Sequence, residues 1–566
     1  KEVLKAYPGT VSDKLKGSYK PRPYCVQYRE TDFNFVSRLL EEEGIFYYFK
    51  HSQGKHELVL ADDSGVHEPL AGFAEIPYDE DKEHIVGYPG LTDWRMRHEI
   101  QTGAIVLRDY NYETPSTDLT STPAKSSRGH GESTYEVYDY PGLYPDKGAG
   151  DALAEVRLGE MESRHARFDG SGNTPGLVVG GKFTLKEHPR KDQNTDYLVI
   201  STRIEMQQGG YEAGTPVDTL FGCKVLAQAF AEPFRPARIT RKPAVAGPQT
   251  AVVVGEGGAG EIVTDKLGRV KLQFHWDRLG KKDSKSSCWV RVASPMAGNG
   301  WGFISLPRVG QEVVVDFLEG DPDRPLITGR VHNPEQLPPY ELPTNATVTT
   351  LKTRSKKGAA ADFNELRFED KAGSEYLLLH AQKDRIEFVE DTLKSQIDKE
   401  EHRTVKGKRH ESLADEWHMT VTKDVKHKYD AKYSVTVAKD VLYKTDGLFS
   451  LKAAKDIIGK SGATISLDAG SDMHLKIASN LGAAAGQNVH IKGGMNVVIE
   501  AGMQISIKAG GSSVVLGPDG VSITGPMVKI NSGGSPGSGN GASPVAPTDP
   551  DAPTAATAPE DPLSHR

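Results

Sequence analysis

An eight-residue repeat limits the fold of this 566-residue chain more strongly than any other feature of its sequence. Residues 402–529 divide into octads, and twelve consecutive octads end on an apolar residue: Trp417, Val425, Tyr433, Val441, Phe449, Ile457, Ile465, Met473, Leu481, Val489, Val497 and Ile505. Because 37% of the chain is apolar, chance produces such a run with a probability on the order of 10⁻⁵ in a chosen register. The repeat therefore predicts that each octad is one structural unit.

The residues within an octad separate into two faces. Positions 8, 2 and 4 are apolar or small and lie two residues apart, so their side chains share one face of a strand. Position 5 is often Gly, which favours a bend; the glycines are Gly462, Gly470, Gly486, Gly494, Gly502 and Gly510. Position 3 lies on the opposite face and carries a row of lysines: Lys428, Lys444, Lys460, Lys476, Lys492 and Lys508. Each octad is predicted to be a short strand and a bend, with an apolar inner face and a charged outer face.

One chain cannot enclose a core with eight residues per layer, because a β-solenoid coil needs roughly twice that number or more. Three chains together supply a workable perimeter. The repeat thus predicts a parallel, intertwined homotrimeric β-prism over residues 402–531, with the twelve position-8 residues in the trimer core. The inner side chains become smaller after about residue 480, so the prism is expected to narrow in that direction.

Residues 1–240 read as an α+β domain in which strands predominate. Thr31 or Asp32 is a candidate cap of a helix that ends at Gly44, and a strand is expected at 45–49. A second helix is expected to open at Asp151, and 197–201 reads as a strand. Prolines within 234–249 mark a boundary, with a new domain expected from about residue 250.

Residues 250–334 contain six short apolar runs separated by turns, which predicts a small barrel of the OB type. The runs are AVVV, RVKLQF, CWVRVA, WGFISL, EVVVDFL and PLITGRV. Phe274, Trp276, Trp289 and Trp301 could stack on bases in such a barrel. Acidic stretches at its end (DFLEGD and GDPDR) and the net charge of −8 oppose nucleic-acid binding, so we interpret these aromatic residues as core and interface residues.

Two further segments complete the predicted organisation. Residues 335–401 are expected to form a connector with two hairpin-like stretches and the start of the needle. Residues 532–566 are rich in Gly, Pro and Ala with few large apolar residues, which predicts a disordered tail. The chain starts on Lys1, in a stretch resembling the middle of a helix, so we expect residues to be missing before it.

Catalytic and metal-binding motifs are weak in this sequence. GEGGAG at 255–260 matches a dinucleotide fingerprint but is followed by strand-like sequence, so a hairpin turn is favoured. GGSPG at 533–537 lies in a Gly/Ser tract rather than at a nucleophile elbow. His275-Trp276-Asp277 is interpreted as a packed strand end rather than a catalytic pair. Cys25, Cys223 and Cys288 form no disulfide or metal pattern and are expected to be inert, buried thiols. No cofactor is expected.

Histidines recur at octad position 1: His402, His410, His418, His474 and His490. Threefold symmetry would bring three copies of each close to the axis if they faced inward, which leaves a metal site open as an alternative. The pattern instead places position 1 on the outer face. Exposed or stacked imidazoles are therefore the favoured interpretation.

Three segments and the octads carry a family resemblance. They read QYRETDFNFVSRLLEEEGIFYYF (27–49), TDKLGRVKLQFHWDR (264–278) and SSCWVRVASPMAGNGWGFISLPRVGQEVVVDFLEGDPDRPLITGRVHNP (286–334). Together they resemble the VgrG family, the valine-glycine repeat spike proteins of the type VI secretion system. The resemblance implies a mainly β chain: a phage-tail-hub-like domain that lacks its N-terminal part, an OB barrel and a trimeric β-helical needle.

The same resemblance implies function and partners. It implies a structural, non-enzymatic homotrimeric spike that is assembled in the bacterial cytoplasm, caps the hexameric Hcp tube and is translocated into a target cell with transient membrane contact. Effector or adaptor proteins would travel with it. A PAAR-repeat tip protein would bind the needle end near Val521, Ile523, Val528 and Ile530. A β-helical polysaccharide-binding or cell-wall-degrading enzyme, with Asp468 and Asp472 as candidate carboxylates, is the alternative.

Overall fold

The computed structural model describes residues 2–82, 88–128, 134–208, 220–256, 261–531, 533 and 537–553. The chain separates into two units, Lys1–Arg385 and Ile386–Arg566. It is mainly β, as the sequence predicts. The finer domain boundaries given above stay predictions.

In its described residues the first unit contains two α-helices, α1 (Asp32–Glu42) and α2 (Lys147–Glu162). The Thr31 side chain caps α1 by accepting a hydrogen bond from the Asn34 amide. Gly44 follows the helix at φ +71°, a left-handed conformation that glycine adopts at low cost. These observations confirm the predicted limits of α1.

The start of the second helix was predicted four residues too late. Asp146, rather than a residue at 151, is the cap, and its carboxylate accepts from the Ala149 amide. The segment 147–150 contains two glycines, which disfavour a helix interior and so hid the first turn from sequence reasoning. Asp151 instead lies inside α2 and accepts a hydrogen bond from the Thr122 amide.

Twelve strands precede the barrel in the described residues. They are β1 (Thr10–Asp13), β2 (Phe46–Ser52), β3 (Lys55–Ala61), β4 (Glu75–Pro77), β5 (Leu91–His98), β6 (Ala104–Leu107), β7 (Ala124–Lys125), β8 (Glu136–Asp139), β9 (Ala166–Gly172), β10 (Lys182–Lys186), β11 (Asp196–Gln207) and β12 (Leu220–Ala229). They form a six-stranded sheet in the order β4-β10-β11-β12-β9-β5 and two three-stranded sheets, β1-β3-β2 and β7-β6-β8. The predicted strands at 45–49 and 197–201 lie within β2 and β11, apart from Ile45.

The largest core packs on the six-stranded sheet around three aromatic rings. The ring centroids of Trp94 and Phe168 each lie 4.8 Å from that of Tyr197, which is fully buried. Aromatic rings at such edge-on contacts bury a large apolar area. Helix α2 packs on the three-stranded sheet β7-β6-β8 through Ala154 and Leu158.

The part of the barrel that the structure describes contains five strands, β13 (Gln249–Val254), β14 (Lys271–Phe274), β15 (Arg291–Val292), β16 (Glu312–Phe317) and β17 (Pro325–Arg330). Their order is β14-β13-β16-β17-β15, and the amides of Val270 and Val290 donate to each other's carbonyls beside the two edge strands. The barrel thereby closes on a core that includes Leu272, Phe274 and Val313.

The predicted barrel strand at WGFISL, the fourth of the six apolar runs, is wrong. Residues 301–306, WGFISL, make only a single bridge from Gly302 to Ala297. Gly302 has φ +133°, a conformation unsuited to a regular strand. This segment forms an exposed loop, with Trp301 66% exposed.

A three-stranded antiparallel sheet follows the barrel: β18 (Val348–Lys352), β19 (Glu365–Glu369) and β20 (Tyr376–His380). The two hairpin-like stretches predicted here correspond to β19 and β20. The second unit ends its regular structure with a meander of β21 (Ile505–Ala509), β22 (Ser512–Gly517) and β23 (Gly520–Thr524). Among the described residues, none of the helices is long and apolar enough to cross a bilayer.

The three cysteines carry free thiols; Cys223 is buried as predicted, whereas Cys25 and Cys288 are only half-buried. Burial raises the pKa of all three and brings that of Cys288 to about 11. Because the thiolate is the reactive form, these side chains are poor nucleophiles at neutral pH.

Candidate functional site

The octad segment bends once in every eight residues. Paired bends recur from Gln382 and Lys383 to Gly502 and Met503, and they fall at positions 5 and 6 of each octad. The structure describes all the residues between these bends up to 501. None of them pairs with another strand of the chain. The predicted bend is confirmed, and the bends extend back to Gln382, within the stretch 335–401 that is expected to contain the start of the needle.

Ring contacts show that positions 2, 4 and 8 share a face. Tyr429 and Tyr433, at positions 4 and 8 of one octad, stack with ring centroids 4.7 Å apart. His427 at position 2 stacks on Tyr429 at 6.1 Å. Since residues on one face of an extended segment lie side by side, these contacts match the inner face expected from the sequence.

The inner face is uncovered in the single chain. The first eleven predicted core residues, from Trp417 to Val497, are between 50% and 70% exposed. Their side chains form an apolar row far longer than a monomeric protein normally leaves in water. Ile505 differs from the rest because it starts β21, where it is half-buried and paired with Leu516.

Charged side chains occupy the opposite face. Lys428 Nζ lies 2.9 Å from Asp430 Oδ1, and His402 and His418 lie 3.0 Å and 2.7 Å from glutamate oxygens two residues earlier. Among the described residues there is no group of three metal-ligating side chains. The contacts of these two histidines with glutamate side chains fit the outward interpretation of position 1.

The predicted tip residues surround the meander. Val521 and Ile523 lie on β23, paired with Leu516 and Val514. Ile523 and Val528 line an open cleft of about 300 Å³ together with Ile507 and Met527, whereas Val521 and Ile530 lie outside its lining. Val521, Ile523, Val528 and Ile530 are all exposed, between 48% and 79%. An exposed apolar cluster of this kind is suited to a protein partner.

The barrel's aromatic residues lie partly in the core and partly at the surface rather than on one stacking platform. Phe274 is buried and stacks on Trp276, with the centroids 4.9 Å apart. Lys271 Nζ lies 4.8 Å from the centre of the Trp289 ring, and Trp301 is on the exposed loop. Bases would find no continuous row of rings here.

His275, Trp276 and Asp277 lack the geometry of a catalytic pair. The His275 Nε2 atom lies 2.9 Å from Thr250 Oγ1, and the Trp276 indole donates to Gln249 Oε1. Asp277 caps a turn by accepting from the amides of Leu279 and Gly280. Each side chain is engaged locally, as expected for a packed strand end.

The acidic turn of the barrel forms a junction with the preceding segment. Asp321 and Asp323 lie between β16 and β17, and both accept from Lys242 Nζ. Burial works against the charged lysine, but the two carboxylates outweigh it and raise the pKa of Lys242. Asp323 Oδ1 also accepts from the Val26 amide at 2.7 Å. The acidic turn thus holds the barrel to residues 26 and 242 of the preceding segment.

Two motif interpretations lie largely beyond the described part of the chain. In GEGGAG, Gly255 and Glu256 are described and 257–260 are not; in GGSPG, 534–536 are not. The carboxylates of the enzyme alternative are described, and both are exposed on the open surface of the octad segment. Asp472 accepts a hydrogen bond from the neighbouring Ser471 hydroxyl.

Three family models match successive parts of the chain. The phage tail baseplate hub (GPD) model matches residues 1–210, and the type VI secretion system/phage-baseplate injector OB domain matches 261–332. The bacteriophage T4 gp5 C-terminal trimerisation domain matches 349–458, which includes the first octads.

The type VI secretion system spike protein VgrG1b of Pseudomonas aeruginosa is 45% identical over 385 residues, which cover 66% of this chain and 50% of that protein. VgrG1a of the same organism is 44% identical over 391 residues, covering 67% of this chain and 59% of that protein. This chain belongs to the VgrG family. It spans about half the length of the VgrG spike proteins that it matches.

Other VgrG relatives carry different names. The actin cross-linking toxin VgrG1 of Vibrio cholerae is 36% identical over 417 residues, covering 72% of this chain but 37% of the toxin. A solved structure of an E. coli type VI secretion component, described as similar to the T4 tail proteins gp27 and gp5, is 18% identical. It covers 57% of this chain and 66% of that one at a TM-score of 0.37, a likeness too low to bear on function.

The sequence missed one feature of this VgrG chain. The Pro-rich segment (537–553) contacts the octad segment at several points, although its composition predicts disorder. The signal that could have revealed it is the spacing of Pro544, Pro547, Pro550 and Pro553, which recur every third residue.

Proposed function

We propose that this chain is the structural subunit of a homotrimeric type VI secretion spike. The observation that carries the proposal is the octad segment itself, which bends every eight residues and leaves its inner apolar row uncovered in the single chain. Two further copies of the same chain would cover that row and supply strand partners to its backbone.

The first unit would connect this spike to the secretion tube. Its match to a phage baseplate hub model supports a ring that docks on hexameric Hcp. The exposed apolar cluster at the meander would receive the PAAR-repeat tip protein. In this proposal the spike is assembled in the bacterial cytoplasm, leaves the cell with effector or adaptor proteins, and touches the target membrane only transiently.

The spike acts mechanically in this proposal and performs no catalysis. An interlocked trimer resists unfolding because each layer is held by three chains, so it can transmit the force of a contractile machine. The enzyme alternative predicts instead a saturable hydrolysis of peptidoglycan or an acidic glycan that is lost on Asp468→Asn.

A matched pair of substitutions in a secreting bacterium tests the proposal. Val489→Asp alters the inner face, whereas Lys492→Asp alters the outer face three residues later in the sequence. We expect Val489→Asp to abolish release of Hcp into the medium and killing of competitor cells, and Lys492→Asp to preserve both. Undiminished release with Val489→Asp would contradict the spike function.

A further inference from the structure

The Pro-rich segment (537–553) runs back along the octad segment. Asp549 Oδ2 lies 2.9 Å from Lys444 Nζ, and the Val545 amide donates to Ser466 Oγ at 3.5 Å. Gly539 lies against the His490 ring so closely that a Cβ atom at this position would overlap the imidazole. As the Pro-rich segment proceeds from residue 539 through 545 to 549, the octad residues that it contacts run backwards along the chain, from 490 through 466 to 444. The two segments are therefore antiparallel.

All three contacts fall on the outer face of the octads. Ser466 and His490 are at position 1 and Lys444 is at position 3, whereas the apolar row occupies positions 2, 4 and 8. A segment bound here leaves the inner face free for other chains. The contact is therefore compatible with a trimer and does not depend on one.

The conformation of the segment suits this path. Prolines at every third residue favour the polyproline II helix, which has three residues per turn. The six residues from Gly539 to Val545 include only Pro544 of this series, and as an extended chain they reach up to about 20 Å. The three octads from Ser466 to His490 need about 14 Å if successive layers have the spacing of neighbouring strands. The stretch from Gly539 to Val545 is thus long enough to reach both His490 and Ser466.

Charge favours the same pairing. The segment carries Asp549 and Asp551 and contains no lysine or arginine, whereas position 3 of the octads presents a row of lysines. A polyproline segment also loses less conformational entropy on binding than a flexible chain, because its prolines already fix the backbone.

We propose that the outer lysine face of the octads is a docking surface for an extended, acidic, proline-rich peptide, and that residues 537–553 of the same chain occupy it. The segment is then a strap along the spike rather than a free tail. A separate protein carrying a peptide of this chemistry would compete for the same surface.

Disulfide trapping in the full chain tests the docking. Val545→Cys would be combined with Ser466→Cys, in a background where the three native cysteines are serine. The control combines Val545→Cys with Ser450→Cys, which occupies the same octad position two repeats away. We expect the matched pair to oxidise at least tenfold faster than the control and to give a product of single-chain mass on denaturing gels.

Each other result would overturn the proposal. Equal rates for the two pairs would mean that the segment is not held in this register, and a product of two-chain mass would mean that it docks on another copy. The solution mass of each variant is measured in parallel. If the protein is a trimer and the two cysteine pairs oxidise at equal rates, the docking of the Pro-rich segment is refuted and the spike function is not. If the protein is a monomer and the matched pair oxidises faster than the control, the spike function is refuted and the docking is not.

A charge exchange gives a second, milder test. Lys444→Glu should lower the trapping yield of the matched pair about two- to fivefold, because an exposed ion pair contributes little. Adding Asp549→Lys should restore the yield. A charge exchange that leaves the yield unaltered in both steps would contradict the part assigned to this ion pair.

Discussion

Lys242 Nζ lies 2.8 Å from Asp321 Oδ2, and this ion pair ties the segment before the barrel to the acidic turn between β16 and β17. The side chain of Asp321 is 9% exposed and that of Lys242 is 26% exposed. Replacing Lys242 would leave two carboxylates of low solvent access, Asp321 and Asp323, without their counterion, which costs more than losing a surface pair.

Lys242→Met should therefore lower the free energy of unfolding of the first unit by about 2 kcal/mol, the scale of a hydrogen bond to a charged group. Urea unfolding followed by tryptophan fluorescence measures it. Arg190→Met is the control because its pair with Asp192 is well exposed, and we expect it to change stability by less than about 0.5 kcal/mol. Equal effects of the two variants would contradict the role of the junction.

The same pair predicts a pH dependence. The folded state raises the pKa of Lys242, so its stabilising contribution is complete below the pKa of an unfolded lysine, about 10.4. The contribution is lost as the pH rises through the higher folded pKa. The stability difference between the wild type and Lys242→Met should stay constant from neutral pH to about 10 and shrink above it. A difference that already falls between pH 7 and 9 would assign the effect to another group.

Gly44 and Gly54 form a matched test of local packing. Both have a left-handed φ, +71° and +69°, but a Cβ at Gly44 would lie 2.6 Å from Val156 Cγ1 whereas nothing lies within 4 Å at Gly54. Gly54→Ala should cost about 1 kcal/mol of backbone strain. Gly44→Ala should cost about 1–3 kcal/mol more because of overpacking. Thermal unfolding compares the stability of the two variants. Similar losses of stability would show that the Val156 side chain moves aside at little cost, which would contradict the predicted overpacking.

The sequence predicts local features best where one residue type decides the conformation. The cap at Thr31 and the glycine at 44 define α1, and the octad glycines define the bends. Prediction from the sequence fails where the tertiary context decides the local conformation. The first turn of α2 forms in spite of its glycines because Asp146 caps it, and WGFISL has a strand-like composition but Gly302 prevents regular pairing.

Parts of the candidate site were also beyond sequence reasoning. The apolar row could be identified from its period of eight because every octad repeats the same requirement. The cleft beside Ile523 could not be identified from the sequence, since it depends on residues 525–529 lying against β21 and β22. The contacts of the Pro-rich segment join residues up to 105 positions apart, and composition carries no information on such pairing.

Ile523→Asp should prevent binding of a PAAR-repeat tip protein, because it puts a charge into the apolar cleft. Ser522→Asp is the control, as neighbouring residues of β23 point to opposite faces. Co-purification of each variant with the tip protein measures the effect. We expect at least a tenfold loss for Ile523→Asp and little change for Ser522→Asp. Equal binding of the two variants would place the tip contact elsewhere.

Val489→Asp should prevent trimer formation near neutral pH and restore part of it below about pH 4. Three carboxylates would meet around one axis in an apolar interior, a severe cost unless they are protonated. Sedimentation at both pH values measures the effect, with Lys492→Asp as the control. A stable neutral-pH trimer of Val489→Asp would show that position 8 does not face inward.

The central claim is that three copies of this chain interlock through their octads, and the solution mass tests it most directly. Light scattering coupled to size exclusion should give about 185 kDa, since one chain has a mass of 61.5 kDa. A stable species of 61.5 kDa with the octads protected from proteolysis would contradict the account, because the repeat would then have closed on a single chain.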